Sequence, residues 1–300
     1  MDRILVNPNL EDIDNFLLFA NENRILFEIF GFCSPSILDS EEEIQRHINI
    51  FSSISDRIYS MHGAFIGLQV SCGDLSIRSV SQKRIIQNCE ISKVLNIKNL
   101  VVHCDKIPYI LQQDYTDYWV DTCYEFYSSI IEKYDINIIM ENCWDFSPYP
   151  MKQLISKMNT IKFKGCIDTG HVNCFSKAGI SEWIDVLNTD LVHFHFNDNK
   201  GEIDEHKPAG QGTFDFKALN ESLKKYNIRP NVVFEMNTNE SLENIKSSMD
   251  YIKTMGYFPF ANTISKNKSE DEANLSGKTS HNKRLSEMSV GGEVQGFRLR

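Results

Sequence analysis

No stretch of the 300-residue chain holds about 18 consecutive apolar residues, so no helix is expected to cross a membrane. The first residues, MDRILVNPNLEDIDNF, lack a basic segment followed by an apolar one, and no secretory signal is expected. The eight cysteines include no Cys-x-x-Cys pair and are scattered from Cys33 to Cys174. Such spacing suits reduced thiols and a cytoplasmic location, not a disulfide framework. No Gly-x-Gly-x-x-Gly turn follows any candidate strand, which removes the usual signature of a dinucleotide-binding open sheet. Positive charge is scarce too: 31 Lys and Arg stand against 41 Asp and Glu, a net charge of −10. Residues 261–300 hold seven basic and five acidic residues, which leaves 24 against 36 in residues 1–260. Nucleic-acid affinity comes mostly from phosphate neutralisation, so an acidic body argues against that class of partner. No basic run with interleaved aromatics is present to track a strand.

What the chain does have is alternation. Short apolar runs at 3–6, 24–30, 57–62, 98–103, 137–141, 163–168, 191–196 and 231–235 read as eight strands. Helical patterns lie between them. Ser40 with Glu43 is a capping box, and Ile44, Ile48, Phe51, Ile54 and Ile58 continue one stripe from it. Trp119, Cys123, Phe126, Tyr127 and Ile130 share a face, as do Leu242, Ile245, Met249 and Ile252 after Asn239. Segments 10–21, 80–95, 150–158, 179–187 and 215–226 complete the set. Eight β-then-α units in about 260 residues predict a single α/β domain over residues 1–260, a (β/α)8 TIM barrel. Residues 261–300 are rich in Ser, Asn, Lys and Glu with almost no periodic apolar positions, and a disordered polar tail is expected there.

In such a barrel the chemistry sits where the strands end. The residues that end or follow the candidate strands are His62, His103, Glu141, Asp168, His171, His195, Asp204, His206 and Glu235. Six of the eight histidines fall there; His47 and His281 do not. The seventh strand, LVHFHF, alternates so that His193 and His195 share one face, and Asp204-x-His206 in the following loop has the spacing to close on one metal ion. Glu141 and Glu235 each close an apolar strand (NIIME, NVVFE), where an unpaired carboxylate carries a large desolvation cost unless a cation or donor offsets it. Mixed nitrogen and oxygen donors favour Zn²⁺ or Mn²⁺ over Mg²⁺ or Fe²⁺. His193 lies deeper than His195 and is expected to fill the barrel. Glu28, mid-strand in LFEIF, reads as a buried polar contact. Gly210 and Gly212 fit a tight turn, or a phosphate seat before a helix starting near Thr213.

IMEN at Glu141, CIDTGH at Asp168 and His171, HFNDN at His195, DEHKPAGQG at Asp204 and His206, and VFEMN at Glu235 together resemble the xylose isomerase-like TIM barrel superfamily. It contains sugar and sugar-phosphate isomerases and epimerases, and also the family 2 apurinic/apyrimidinic endonucleases. In the isomerase and epimerase branch the resemblance implies one divalent ion on Glu141, Asp168, His195 and Glu235. Glu141 and Glu235 would then be the proton-transfer groups, and His62, His103 and His171 would contact substrate. In the endonuclease branch it implies three zinc ions, with His62, His103, His171, Asp204 and His206 as additional ligands. Gly170-His171 departs from that branch's Cys-His pair, GAFIGLQV replaces its aromatic DNA-probing loop, and Lys200–Ile203 is a shorter insertion. The expected function is therefore a metal-dependent isomerase or epimerase of a sugar, sugar phosphate or similar polyol. The alternative is a multi-zinc phosphodiesterase of the endonuclease type.

Overall fold

The computed structural model describes residues 3–236 and 241–260. The tail expected over 261–300, and the helix start expected at Asn239, lie outside the described residues. Eight strands alternate with helices: β1 (Ile4–Val6), β2 (Leu26–Ile29), β3 (Ile58–His62), β4 (Asn99–His103), β5 (Asn137–Glu141), β6 (Phe163–Asp168), β7 (Leu191–Phe196) and β8 (Asn231–Phe234). All pair in parallel, and β8 pairs with β1 to close a barrel in chain order. The helices are α1 (Ile13–Asn23), α2 (Pro35–Leu38), α3 (Glu41–Ser52), α4 (Leu75–Val94), α5 (Gln113–Tyr134), α6 (Tyr149–Met158), α7 (Thr169–Phe175), α8 (Ile180–Leu187), α9 (Phe216–Tyr226) and α10 (Leu242–Thr254).

Local sequence explains where the chain turns. Arg24, Asp135, Asn159 and Asn227 end α1, α5, α6 and α9 in the left-handed region, and each cap N–H closes back on the last helical turn. Short polar side chains tolerate that conformation best, which is why three of these four are Asn or Asp. Ser40 caps α3 by accepting from Glu43 N at 3.2 Å. The reciprocal half of the capping box does not form, because Glu43 turns to Arg46 instead. The stripe from Ser40 also ends early, since Ile58 opens β3.

Each strand is buried on both faces, as parallel strands between a core and a ring of helices must be. Along β4, β5 and β6 the residues Val101, Ile139 and Cys166 form one buried cluster inside the barrel. Side chains two positions on share that inward face, and they are His103, Glu141 and Asp168. The outward face of β7 is aromatic: Phe196 meets Phe216 of α9 and Tyr257 edge-on, with ring centroids 5.5 and 5.4 Å apart. Period-two alternation thus commits the opposite face, His193 and His195, to the interior, where both have no solvent exposure.

Candidate metal centre

The carboxyl ends of β3 to β8 bring all nine rim residues named from the sequence to one mouth, in three groups. Glu141, Asp168, His195 and Glu235 form one; His62, His103 and Glu141 a second; His171, Asp204 and His206 a third. Within each group, one ligand atom per residue lies within 4.8 Å of the others. Glu141 belongs to two groups and is the hub. Its Oε1 lies 3.1 Å from His195 Nδ1 and 3.4 Å from His171 Nδ1. Its Oε2 lies 3.2 Å from His62 Nε2 and 3.4 Å from His103 Nε2.

Asp168 is aimed by a second set of groups. Asp168 Oδ1 accepts from the His171 backbone N–H at 2.7 Å, Oδ2 accepts from Asn197 Nδ2 at 2.6 Å, and the Asp168 N–H donates to Asn142 Oδ1 at 2.8 Å. Ring orientation is set in the same manner. His62 Nδ1 lies 2.9 Å from the Gly63 carbonyl and His171 Nδ1 2.8 Å from the Asn142 carbonyl. A carbonyl only accepts, so a proton sits on Nδ1 and Nε2 is the atom each ring turns toward a carboxylate, Glu141 for His62 and Asp204 for His171. Asp204 bridges His171 and His206, its Oδ2 being 3.2 and 3.0 Å from their Nε2 atoms. His206 holds a left-handed φ of +48°, pinned by the two backbone bonds between Asp198 and Lys207.

Electrostatics follow from this crowding. Burial opposes the charge on Glu141, but His195 and His103 outweigh it and hold its carboxyl well below the usual range. Burial wins at Asp168, and with Glu235 and Glu141 nearby its carboxyl is pushed up to about 6 despite His171. Burial alone would lower His206, yet the hydrogen bond it donates to Asp204 carries it up to about 9. Glu141 Oε1, Glu235 Oε2, His195 Nδ1 and Asp204 Oδ1 are shut away from water and have no aligned hydrogen bond. Even the 2.6 Å approach of His195 Nδ1 to Glu235 Oε2 is misaligned. Leaving such groups unpaired is costly, and a shared cation answers the deficit with the donor set present. Four nitrogen and oxygen donors around one point fit a divalent ion.

Glu28 is the buried polar contact expected of it, and His193 fills the barrel. Glu28 and His193 lie beneath the rim, bonded to each other at 3.0 Å inside the barrel. The N–H groups of Gly210, Gly212 and Phe214 donate to the Asp198 carboxylate at 3.0, 2.9 and 3.1 Å, so the glycine turn is closed on a side chain instead of facing an outside phosphate. The helix beyond it begins at Phe216, not Thr213. Phe65 stacks on His103 with centroids 4.5 Å apart, and Phe30 stacks on His62 at 4.6 Å. Trp144 and Tyr149 are exposed. Sequence reasoning assigned no role to Asn142, Asn197 or Phe30; the two asparagines stand inside the quoted motifs, and that was the only available signal.

A closed parallel barrel with its polar groups gathered at one mouth defines a TIM barrel whose buried acidic and histidine groups could hold a metal ion. The chain belongs to the xylose isomerase-like TIM barrel family, whose model matches residues 28–255. Among solved structures, a D-tagatose 3-epimerase-like protein superposes with a TM-score of 0.67 at 21% identity, over 88% of this chain and 99% of its own. The TTHB071 protein from Thermus thermophilus, in a crystal soaked with ZnCl2, gives 0.65 at 18% identity, over 85% and 97%. A 3-keto-D-glucoside 4-epimerase from E. coli gives 0.61 at 16% identity, over 85% and 100%. The uncharacterized protein MJ1614 of Methanocaldococcus jannaschii is 23% identical over 202 residues, which span 66% of this chain and 77% of that protein. At these identities the structural likeness speaks for the fold.

Proposed function

We propose that the protein is a divalent-metal-dependent isomerase or epimerase acting on a sugar, sugar phosphate or similar polyol. The observation that carries this reading is the convergence of Glu141 and Glu235, from β5 and the end of β8, on His195 Nδ1 in one group with Asp168. These four residues would hold Zn²⁺ or Mn²⁺ ahead of Fe²⁺ or Mg²⁺, the last being the least suited to the imidazole. The chemistry such an ion supplies when bound is polarisation of a carbonyl beside the carbon that loses its proton. Glu141 and Glu235 do the proton work. One carboxylate takes the proton from carbon, and the other carboxyl returns one. Return to the opposite face of the same carbon gives an epimer; return to the neighbouring carbon, with the hydroxyl proton moving to the carbonyl oxygen, gives an aldose–ketose pair. His62, His103 and His171 would face substrate hydroxyls, and Phe65 would back His103. Similar folds described as a D-tagatose 3-epimerase-like protein and a 3-keto-D-glucoside 4-epimerase support this class.

A second reading has its own observation. The other two groups, His62–His103–Glu141 and His171–Asp204–His206, are each arranged to hold a further ion, as a three-zinc phosphodiesterase requires. Elemental analysis of dialysed protein, combined with an NMR screen of ketoses, aldoses and their phosphates in D2O, separates the two. The expected outcome is one divalent ion per chain and deuterium entering a carbon beside the carbonyl. Glu141→Gln or Glu235→Gln should lower that rate by about 10²-fold or more. Three zinc per chain with cleavage of a duplex containing an abasic site would replace the first reading by the second.

A further inference from the structure

We propose that Glu28 is a positioning residue: from inside the barrel it holds His195 in the tautomer that leaves Nδ1 free to ligate. The inference rests on the metal-site reading above and deepens it. His195 differs from the other ligand imidazoles in what stands behind it. The rings of His62 and His171 are fixed by backbone carbonyls of Gly63 and Asn142. Behind His195, the ring nitrogen turned away from Glu141 and Glu235 is Nε2, and it lies 2.8 Å from Glu28 Oε1. Both atoms are sealed from solvent, and neither makes an aligned hydrogen bond, so the 2.8 Å approach is an ion-pair contact that each has in place of one. A buried imidazole nitrogen and carboxylate oxygen at that separation satisfy each other or remain unsatisfied at a heavy desolvation cost. A carboxylate only accepts, so it keeps a proton on Nε2 when an ion takes the place of the proton on Nδ1.

The carboxylate is itself held rigidly. Its Oε2 takes the Ser60 hydroxyl at 2.6 Å and His193 Nε2 at 3.0 Å, which leaves only Oε1 to turn toward His195. Ser60 is the residue registered against Glu28 across β2 and β3, just beyond an irregularity between Phe27 and Glu28. His193 shares the inward face of β7 with His195. Four fully buried polar residues from three strands therefore form one assembly beneath the rim. A core filler of the same volume would serve packing alone as well or better, because a buried ion pair is weak evidence for stability. The assembly is accounted for by what it does to His195: a carboxylate behind a ligand imidazole fixes the ring and raises its basicity.

The test measures metal binding, not turnover. Zn²⁺ and Mn²⁺ affinities of wild type, Glu28→Gln and Ser60→Ala are determined by chelator competition, with circular dichroism and melting of the metal-free proteins alongside. Glu28→Gln should weaken binding roughly ten- to a hundredfold, and Ser60→Ala, which keeps the carboxylate but frees it, should weaken it less. In the Zn²⁺-loaded proteins, nitrogen-15 shifts of the His195 ring should report a protonated Nε2 with an ion-bound Nδ1 in the wild type and a mixture of ring states in Glu28→Gln. Should Glu28→Gln fail to fold, Ser60→Ala still decides the matter through affinity and the His195 shifts. A variant that melts lower without metal while binding the ion as tightly as wild type, its His195 tautomer unchanged, would make Glu28 structural and overturn the proposal. Wild type that binds neither ion would instead remove the metal reading beneath it.

Discussion

Asp168 is aimed by an asparagine that itself needs a glycine to exist where it does. Asn197, fully buried, donates to Asp168 Oδ2, and its amide occupies the space where a Cβ on residue 170 would stand. Asn199, which donates to the Gly170 carbonyl at 2.9 Å, crowds the same point. The chain departs from the Cys-His pair of the endonuclease branch at this position, and the packing gives the local reason: no side chain fits. Gly170→Ala should push Asn197 off Asp168 and cost about 1–3 kcal/mol by overpacking, read as a lower urea midpoint with weaker metal retention. Legibility at this scale was partial. Residues that end strands announced themselves, because a strand end in a barrel is a known place. Glu28 did not, because the role proposed for it depends on His195, which lies on β7 far along the chain. Nothing in LFEIF says which side chain will face it across the barrel.

Elements were easier to read, since their physics is local. A parallel strand is a short apolar run, and β5, β6 and β7 begin and end where the sequence places them. Errors sit where the pattern is silent. The run at 24–30 starts late because Arg24 is the left-handed cap of α1. α2 and α7 have four and seven residues, too few to show a helical period. α7 follows β6 with no connecting loop: Asp168 is at once the last strand residue and the N-cap, accepting from His171 N. α4 begins at Leu75 and not near Val80, because Asp74 caps it and its first turns are exposed. β7 shows how an element carries a site, since one face anchors to helices and the other presents the imidazole. Phe196, with no exposure, packs against Phe194, Phe216, Phe234 and Tyr257. Phe196→Ala should cost about 3–5 kcal/mol and let β7 shift, so equilibrium unfolding and metal affinity should fall together.

At the scale of the whole molecule, the site and the stability of the barrel are one quantity. The four ligands proposed for one ion come from the ends of β5 to β8, so a bound ion would tie half of the barrel wall at one end. An ion that binds the folded chain alone stabilises it by mass action, about 2.7 kcal/mol at a hundredfold excess over its Kd. For a domain of this size that raises Tm by about 5 °C. Without the ion, Asp168 works the other way. Its folded-state pKa of about 6 lies above the ordinary 3.8, so the folded chain holds a proton there that the unfolded chain has released. Stability therefore falls as pH rises from about 3.8 through about 6 and is level beyond it. Asp168→Asn removes that penalty, on the order of 3 kcal/mol. In metal-free protein the variant should gain on wild type between pH 4 and pH 7.5 in thermal melts. Adding Zn²⁺ or Mn²⁺ at pH 7.5 should reverse the order, because wild type gains the ion and the variant does not. An Asp168→Asn protein that melts below metal-free wild type at pH 7.5, and gains equally from metal, would mean that this carboxylate neither strains the empty site nor holds the ion.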